Sequence, residues 1–595
     1  MPVCERYLIS GFHVLHDGQP GSKGPSTIQS LHRNHENGLR KVERNVKRIS
    51  RRNYRRTNLT IFLCLATLFP ASNAIGQSND QPSQPFDVQA SRIDSSADAV
   101  SLAVDSITEP ELKRHIDFLA SDTLQGREAG MQGNYAAGAY IADQLRKSNV
   151  PPVTSDEGYF RYFQPNFRNI LALVPGSDPQ LKDEFILVGA HYDHVGFGNQ
   201  TNSRGPFGVV HNGADDNASG TAGVLEVAQA LAALKKKPKR SILIAFWDGE
   251  EKGLLGSKAY VNFPAVSLSK IRFHLNADMI GRLRPDGLEI SGWQTATACR
   301  QFLSEQNADG LKLHFMYTYK PESDHWPFFE RRVPSLMLHT GKHPDYHRPS
   351  DDTHLLNMDG VRTVSRFILR CTIAAANADS LPAFRNWSNE AAEAFAQRFE
   401  QPIQNQPSRL GVTYNATLVK EGTIRLTSIA GGSPANVAGL QVDDEVLAVG
   451  HMPTTESNDF RSLVMSAPTE TVFKIRRAES ELDRPVTLRG NPDLYGFRWI
   501  MDDAEPGSAI ITHTIADSPA AVAKLRPQHR IRSFNKETFG TRAAFEALLL
   551  NAEFPIRLEV ELDGRFEILT IGSSQAKNKE ATSSQDSESE SRDKK

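Results

Sequence analysis

The chain has 595 residues, which is enough for about three to five domains at roughly 100–200 residues each. Hydrophobic residues make up 39% of the chain and charged residues 23%, a composition typical of folded globular proteins. This composition excludes a mostly disordered chain, a coiled coil and a protein with many membrane spans. The formal net charge is −2, so the overall charge gives no support for nucleic acid as a partner.

The beginning of the chain is first basic and then apolar. Residues 1–56 contain 12 Lys or Arg and four acidic residues, and the run LTIFLCLATLF follows at residues 59–69. Small residues come next, an order typical of a secretory signal peptide, while the apolar run is too short to span a bilayer. We therefore predict a leader and signal peptide over residues 1–77, export to the periplasm or the cell exterior, and no stable membrane span after signal removal. A translation start assigned too far upstream explains the leader's length more simply than a nucleic-acid-binding arm.

The segments after the signal differ in composition. Ser, Asp, Gln and Pro dominate residues 78–107, which we predict to be a flexible linker. Across residues 108–380, strand-length apolar runs alternate with helical patterns. This predicts an α/β domain on an open, mostly parallel sheet with helices on both faces. The clearest strands and the clearest helix are predicted at Phe185–Ala190, Ile242–Trp247, Val333–Leu338 and Gly220–Leu234.

The C-terminal part contains an internal repeat. Ser433–Leu440 (SPANVAGL) recurs further along the chain as Ser518–Leu525 (SPAAVAKL), and the same offset relates Gly411 to Gly496. The repeat predicts two homologous modules, preceded by a linker helix at Asn389–Gln401 and followed by a disordered polar tail. The predicted boundaries are 381–407 for the linker, 408–490 for the first module, 491–572 for the second module and 573–595 for the tail.

Histidine, aspartate or glutamate follows each strand-like run of the α/β domain. The carboxyl ends of parallel strands are where open α/β sheets bind their ligands. Imidazole and carboxylate without thiolate suit a catalytic zinc site, and closely spaced acids suit two metal ions that share a carboxylate. The candidate residues are His191, Asp193, Asp215, Asp216, Glu250, Glu251, Asp278 and His347.

Five motifs around these residues occur in the order HxD, ADDNxSG, EExGLxGS, NxDM and YHxPxDD. In this order they resemble the bacterial zinc aminopeptidase family, whose relatives include glutamate carboxypeptidase, glutaminyl cyclase and the transferrin-receptor ectodomain. The resemblance extends over the whole predicted α/β domain. It implies a zinc exopeptidase fold, two zinc ions, peptide or protein substrates and hydrolysis of N-terminal peptide bonds.

The resemblance also implies the ligands of the two zinc ions. One ion would be held by His191 and Asp278, and the other by Glu251 and His347. Asp216, which directly precedes the Asn of its motif, would bridge them.

Three acidic residues next to these ligands have different expected roles. Glu250 would be the general base by the same resemblance. Asp193 lies two residues after His191 on an extended segment, so its carboxylate could accept the imidazole N–H and fix the tautomer. Asp215 is the alternative to Asp216, because a register slip of one residue would exchange them.

Other residues near the motifs receive no ligand role. Nearby histidines are expected to support the site, to line the pocket or to lie on the surface: His194, His211, His325, His339 and His343. Cys299 and Cys371 remain after signal removal, and the sequence leaves open whether they form a disulfide.

Each C-terminal module opens with a glycine between apolar residues. Leu410, Gly411 and Val412 open the first module, and Tyr495-Gly496-Phe497 opens the second. The modules resemble PDZ domains of bacterial proteases. This resemblance implies that the opening binds a peptide C-terminal carboxylate and that the adjoining strand accepts the peptide. The alternative is that a module only packs against the catalytic domain or against another chain. Because the second copy is the more divergent, the sequence favours this alternative for the second module more than for the first.

The sequence therefore predicts an exported di-zinc aminopeptidase with two PDZ-like modules. A carboxypeptidase or another amide hydrolase on the same site is the alternative among enzymes. A catalytically inactive peptide-binding protein that uses its PDZ-like modules is the alternative of another class. The complete set of ligand residues, together with Glu250, argues against the inactive protein.

Overall fold

The computed structural model describes residues 97–154, 158–386, 389–400, 408–415, 424–454, 460–490, 492–515 and 518–572. The predicted leader and signal peptide, most of the predicted flexible linker, and the polar tail lie outside the described residues. Within the described ranges, no helix is both long enough and apolar enough to cross a membrane.

The first sheet has eight strands and contains the candidate site. Its strands are β1 Phe160–Gln164, β2 Phe167–Val174, β3 Phe185–His191, β4 Ser241–Trp247, β5 Ile271–Ala277, β6 Leu288–Ser291, β7 Leu313–Phe315 and β8 Ser335–His339. Their order is β1-β2-β4-β3-β5-β8-β6-β7. The four central strands β4, β3, β5 and β8 are parallel, whereas β2 and β6 pair antiparallel with their central neighbours. The predicted open, mostly parallel sheet is confirmed.

Eight helices of the described residues belong to this part of the chain. They are α1 Ala97–Asp105, α2 Glu109–Leu119, α3 Gln132–Lys147, α4 Gly220–Ala233, α5 Leu255–Asn262, α6 Cys299–Glu305, α7 His325–Glu330 and α8 Met358–Asn377. The α8 helix begins where the Asn357 side chain accepts a hydrogen bond from the Gly360 N–H, and α2 has Pro110 in its first turn.

Both faces of the sheet are covered. On β3, Ile186 and Val188 point into one hydrophobic core, whereas Leu187 points into a second. Residues of α4 and α8 complete the first core, and Tyr260 of α5 and Phe328 of α7 complete the second. Strands buried on both faces are continuous apolar runs, which is why the sequence showed them clearly. The predicted helices on both faces are therefore confirmed.

One part of the predicted linker is structured. The sequence placed residues 78–107 in a flexible segment, but α1 lies inside it, and Ala103, Val104 and Ile107 are buried in the core of the first sheet. The many polar residues around α1 concealed a single apolar stripe of Val100, Ala103 and Val104 at helical spacing.

The first module forms its own sheet and core. Its strands are β9 Val412–Tyr414, β10 Ile424–Ile429, β11 Glu445–Val449, β12 Met452–Pro453, β13 Glu470–Arg477 and β14 Ser480–Thr487. They run in the order β14-β13-β11-β10-β9, with β12 paired to β11. The linker helix α9 Asn389–Glu400 precedes this module, and the helices inside it are α10 Pro434–Val437 and α11 Phe460–Ser466.

The second module repeats this arrangement. Its strands are β15 Phe497–Ile500, β16 Ala509–Thr514, β17 Arg530–Phe534, β18 Ile556–Leu562 and β19 Arg565–Ile571, in the order β15-β16-β17-β18-β19. Its helices are α12 Pro519–Val522 and α13 Arg542–Leu550. Each module has a separate hydrophobic core. Whether the two modules are PDZ domains by identity stays a prediction.

Within each module, the opening glycine contacts the serine that begins the repeated SPA motif. Ser433 and Ser518 cap α10 and α12 by accepting hydrogen bonds from backbone N–H groups three residues later, with proline at the next position. Gly411 and Gly496 have φ values of +79° and +76°, and a Cβ atom on either would overlap the Cβ of the capping serine. The opening glycine of each module therefore packs directly against the capping serine, and the contact leaves no room for a Cβ atom.

The described cysteines do not form a disulfide. Cys299 on α6 and Cys371 on α8 are both buried free thiols. Burial raises the pKa of both thiols, so they behave as small apolar core residues.

Candidate metal centre and active site

The predicted site residues meet at the carboxyl ends of the central strands. His191 is the last residue of β3, and Asp278 directly follows β5. Glu250 and Glu251 lie in the turn after β4. Asp216 lies in the irregular turn Ala214–Ser219 that leads into α4, and His347 lies in the loop after β8.

Three of these residues form a first group of potential metal ligands. Nε2 of His191 lies 3.3 Å from Oδ1 of Asp216 and 3.4 Å from Oδ1 of Asp278. All three side chains are buried. Two carboxylates next to one buried imidazole nitrogen are a suitable ligand set for a divalent cation.

A second group shares Asp216 with the first. Nε2 of His347 lies 3.0 Å from Oδ2 of Asp216 and 3.2 Å from Oε2 of Glu251. Nδ1 of His194 lies 2.8 Å from Oε1 of Glu251. The two oxygens of Asp216 thus face different groups, as a carboxylate that bridges two metal ions must.

The chemistry of these groups fits two divalent cations. Within the described part of the chain, the buried Nε2 of His347 has no hydrogen-bond partner despite the two close carboxylates. Burial and the charge of Asp216 favour a neutral Glu251, yet the nearby imidazoles of His194 and His347 lower the pKa of Glu251 to about 2. A charged carboxylate and an imidazole nitrogen without a hydrogen bond therefore lie side by side, and both are ligand types that zinc prefers.

Glu250 lines the same pocket as His191, Asp216 and Asp278. Burial raises the pKa of Glu250 well above its ordinary value, and the charge of Glu251 adds to the rise, whereas His191 opposes it. A carboxylate with a raised pKa holds a proton more readily, which suits a group that receives and returns one.

Asp193 contacts the turn of the two glutamates as well as His191. Its two carboxylate oxygens accept hydrogen bonds from the backbone N–H groups of Glu250 and Glu251, at 3.1 and 3.3 Å. Nδ1 of His191 lies 3.2 Å from the backbone carbonyl oxygen of Asp193 and 3.7 Å from its carboxylate. Asp193 therefore connects the ligand on β3 to the turn after β4, a role that the sequence analysis did not include.

Asp215 and Asp216 point in different directions. Oδ1 of Asp215 accepts hydrogen bonds from the Gly281 N–H at 2.6 Å and the Ser219 hydroxyl at 3.0 Å. Its Oδ2 lies 3.1 Å from Nε2 of His343. Asp215 thus fixes the surrounding loops, whereas Asp216 faces both ligand groups.

Arg127 is a site residue that the sequence analysis missed. The residue is 1% exposed, and its guanidinium donates hydrogen bonds to the carbonyl oxygens of Tyr192, Asn212 and Gly213. Burial lowers the pKa of Arg127 to about 10, while the charges of Asp216 and other acids oppose this. It remains a cation that holds together the loops before and after the ligands, and a lone arginine in a sequence carries no signal for such a role.

The histidines without a ligand role have varied surroundings. His194 lies in the second ligand group, which brings it closer to the candidate metal centre than the sequence suggested. His325 and His339 line the pocket, and His343 contacts Asp215. His211 lies 2.6 Å from the Ser203 hydroxyl.

Residues 169–372 match the profile of Peptidase family M28. These residues are similar to that family, and the α/β domain that contains them is called the M28 domain below. The resemblance inferred from the five motifs is therefore confirmed. The matched segment contains both ligand groups of the M28 domain.

Curated relatives match parts of the chain. Leupeptin-inactivating enzyme 1 of Streptomyces exfoliatus is 28% identical over 261 residues, which is 42% of this chain and 55% of the relative. Leucine aminopeptidase 2 of Trichophyton rubrum is 32% identical over 183 residues, covering 29% of this chain and 33% of the relative. The chain thus spans a third to just over half of the length of these relatives.

A zinc aminopeptidase from Bacillus subtilis is among the solved structures with a similar arrangement. It is 17% identical, with a TM-score of 0.36, over 44% of this chain and 94% of the other.

Proposed function

We propose that the protein is an exported di-zinc aminopeptidase that hydrolyses N-terminal peptide bonds with Glu250 as general base. The observation that carries this proposal is the Asp216 carboxylate, whose two oxygens face the two ligand groups. The first zinc ion would be held by His191, Asp216 and Asp278. The second would be held by Asp216, Glu251 and His347 of the second group.

Each residue would contribute a distinct step or contact. Bound zinc ions supply positive charge that lowers the pKa of water and polarises the scissile carbonyl group. Glu250 would accept a proton from the attacking water and return it to the leaving amine. Asp193 would keep Glu250 and Glu251 in place through their backbone N–H groups.

An aminopeptidase is supported by the charge of the pocket near the ligands. The carboxylate of Glu289 lines it beside the ligand groups, and it would attract the ammonium group of a free N-terminus. The leucine aminopeptidases among the relatives agree with this choice.

Carboxypeptidase action is the second candidate. Lys320 and Lys342 line the same pocket, and both are exposed. A cation at this place suits the terminal carboxylate that a carboxypeptidase must bind.

The test is a panel of aminoacyl-arylamides and peptides with free or blocked N-termini, with the zinc content of the protein measured. We expect a chelator to abolish cleavage of free N-termini and added zinc to restore it. Cleavage of N-terminally blocked peptides at their carboxyl end would support the carboxypeptidase. A folded protein that binds no zinc and cleaves nothing would be the inactive peptide-binding protein.

The general base is tested by Glu250→Gln, which keeps the size of the side chain but removes the proton acceptor. We expect loss of about 10²–10⁴-fold in kcat with unchanged zinc content. Glu330→Gln, on α7 and outside the pocket, is the control. Undiminished turnover by the Glu250 variant would remove the assigned mechanism.

We also propose that the first module binds a peptide C-terminus at Leu410, Gly411 and Val412. Among the described strands of its sheet, β9 is at the edge, and an edge strand can accept a peptide as a further strand. The Gly411 N–H donates to the neutral Ser408 hydroxyl, whereas the equivalent Gly496 N–H donates to the charged Asp493 carboxylate. That carboxylate would repel a peptide carboxylate at the second module.

Peptide binding is tested with the full chain and a library of fluorescent peptides with free or amidated C-termini. We expect the free carboxylate to be required and Val412→Arg to weaken binding. Equal binding of amidated peptides would exclude this carboxylate site.

A further inference from the structure

The second module contacts the M28 domain next to the candidate pocket. The Leu313 N–H on β7 donates to the carbonyl oxygen of Asp563 at 2.8 Å, and the Asn307 side chain donates to the carbonyl of Gly564 at 2.8 Å. Asp563 and Gly564 form the turn between β18 and β19. Because β7 ends the order of the first sheet, this turn covers the sheet's edge.

A buried network of charges lies beside this contact. Arg300 on α6 makes a double hydrogen bond to the Glu561 carboxylate at 2.9 and 3.1 Å. Arg530 makes another to the Glu505 carboxylate at 3.0 and 3.1 Å. All four side chains are at most 4% exposed. Buried charges are tolerated only when they are paired, so this arrangement fixes the relative position of the groups that it joins.

The network reaches the wall of the candidate substrate pocket. We use "pocket wall" for residues 315–318, in which Met316 and Thr318 line the pocket. The other two residues of the pocket wall, Phe315 and Tyr317, contact the network. The Arg300 guanidinium lies 4.1 Å from the centre of the Phe315 ring, and Arg530 donates a hydrogen bond to the Tyr317 hydroxyl at 3.2 Å.

The first module has an ion pair at the positions equivalent to Arg530 and Glu561. By the offset that relates Gly496 to Gly411, Arg530 corresponds to Glu445 and Glu561 to Arg476. These two residues also face each other across paired strands in both modules, but with the charges reversed. Glu445 and Arg476 pair at 3.1 Å with side chains 21% and 42% exposed, whereas Arg530 and Glu561 are 1% and 3% exposed. The second module thus uses for docking a position that forms a surface ion pair in the first.

We propose that the second module supports the wall of the substrate pocket from behind, and that Arg530 is a positioning residue that holds this wall through Tyr317. This inference rests on the proposed peptidase function, since it assigns the pocket to substrate. Substrate binding should therefore depend on a residue that touches no substrate and belongs to a different module.

The test compares Arg530→Met with the matched control Arg476→Met in the full chain. Hydrogen exchange of the segment 313–320 is followed by mass spectrometry, together with zinc content, KM and kcat for a free aminoacyl-arylamide. For Arg530→Met we expect faster exchange in this segment and a KM raised about tenfold, with kcat and zinc content nearly unchanged. The control should match the wild-type protein in every measurement.

Two milder variants keep the test decisive if Arg530→Met does not fold. Tyr317→Phe removes the hydroxyl that Arg530 contacts but keeps the ring, and it should raise KM and the exchange rate in the same direction. Arg530→Lys keeps the charge opposite Glu505 and should restore part of the loss. Unchanged exchange and an unchanged KM in Tyr317→Phe would overturn the proposal.

The outcomes also separate this inference from the proposed function. A wild-type protein that cleaves no substrate would remove the proposed function, and the exchange rate would still decide whether Arg530 holds the wall. Faster exchange with an unchanged KM in an active enzyme would overturn the link to substrate binding.

Discussion

The guanidinium of Arg127 donates a hydrogen bond to the carbonyl oxygen of Gly213 at 3.0 Å, three residues before the shared carboxylate of Asp216. The same guanidinium donates to the carbonyl of Tyr192, the residue after His191. One buried cation therefore holds two segments that carry ligands of both groups, and its charge partly offsets the carboxylates around it.

Replacing Arg127 by Met should weaken zinc binding by about 10–100-fold, because outer residues that orient ligands have effects of this size. The measurement is competition with a fluorescent zinc chelator. Arg146→Met, which alters an exposed residue on α3, is the control and should bind zinc normally. Equal affinities of the two variants would show that the ligand loops do not need this cation.

Asp193→Asn should lower kcat/KM by about 10–100-fold while the protein stays folded. The backbone N–H groups of Glu250 and Glu251 now each donate to an oxygen of the Asp193 carboxylate. In the variant, one of these N–H groups would face the amide NH₂ group, which is a donor and cannot accept its hydrogen bond. Steady-state kinetics with metal analysis test this. The exposed Asp143→Asn on α3 serves for comparison, and a wild-type rate in Asp193→Asn would contradict the assigned contact.

Asp324 should make stability depend on pH. Burial raises the pKa of Asp324 to about 7, whereas in the unfolded chain it ionises near pH 4. Between these values the folded protein holds a proton that the unfolded chain has lost, so this residue's contribution to stability falls as the pH rises toward 7.

Asp324→Asn keeps the shape that contacts the Ser257 hydroxyl but cannot ionise. Relative to this variant, zinc-free wild-type protein should lose about 2 kcal/mol of unfolding free energy between pH 5 and pH 8. Urea denaturation at both pH values measures the difference. Parallel pH profiles of the two proteins would mean that Asp324 is already ionised in the folded state.

Gly411→Ala should destabilise the first module by about 1–3 kcal/mol, because φ is positive there and the new Cβ would overlap Ser433. Gly431→Ala is a close control, since its Cβ would meet no atom within 4 Å among the described residues. Thermal unfolding followed by calorimetry distinguishes the two. Similar destabilisation by both variants would contradict the role of the Gly411–Ser433 contact.

The sequence predicted those features that depend on local pattern. Buried parallel strands are continuous apolar runs, so β3, β4 and β8 were evident within one or two residues. The ligand candidates follow strand ends, and parallel topology alone brings His191 and Asp278 to one edge.

Features that depend on distant contacts could not be predicted. Arg127 acts through carbonyl groups up to 86 residues away, and any residue type supplies a carbonyl. Arg530 and Glu561 alternate with apolar residues and look like the solvent-facing side of a strand, because their burial comes from another part of the chain. His194 differs from other histidines only in the position that the fold gives it.

The reversed charges at equivalent positions of the two modules also determine which repeat can occupy which place. If the first module approached α6 in the orientation of the second, Arg476 would meet Arg300 where Glu561 now stands. Two like charges would then be desolvated against each other, at a cost of several kcal/mol. The reversed charge therefore disfavours the first module at the place that the second module occupies.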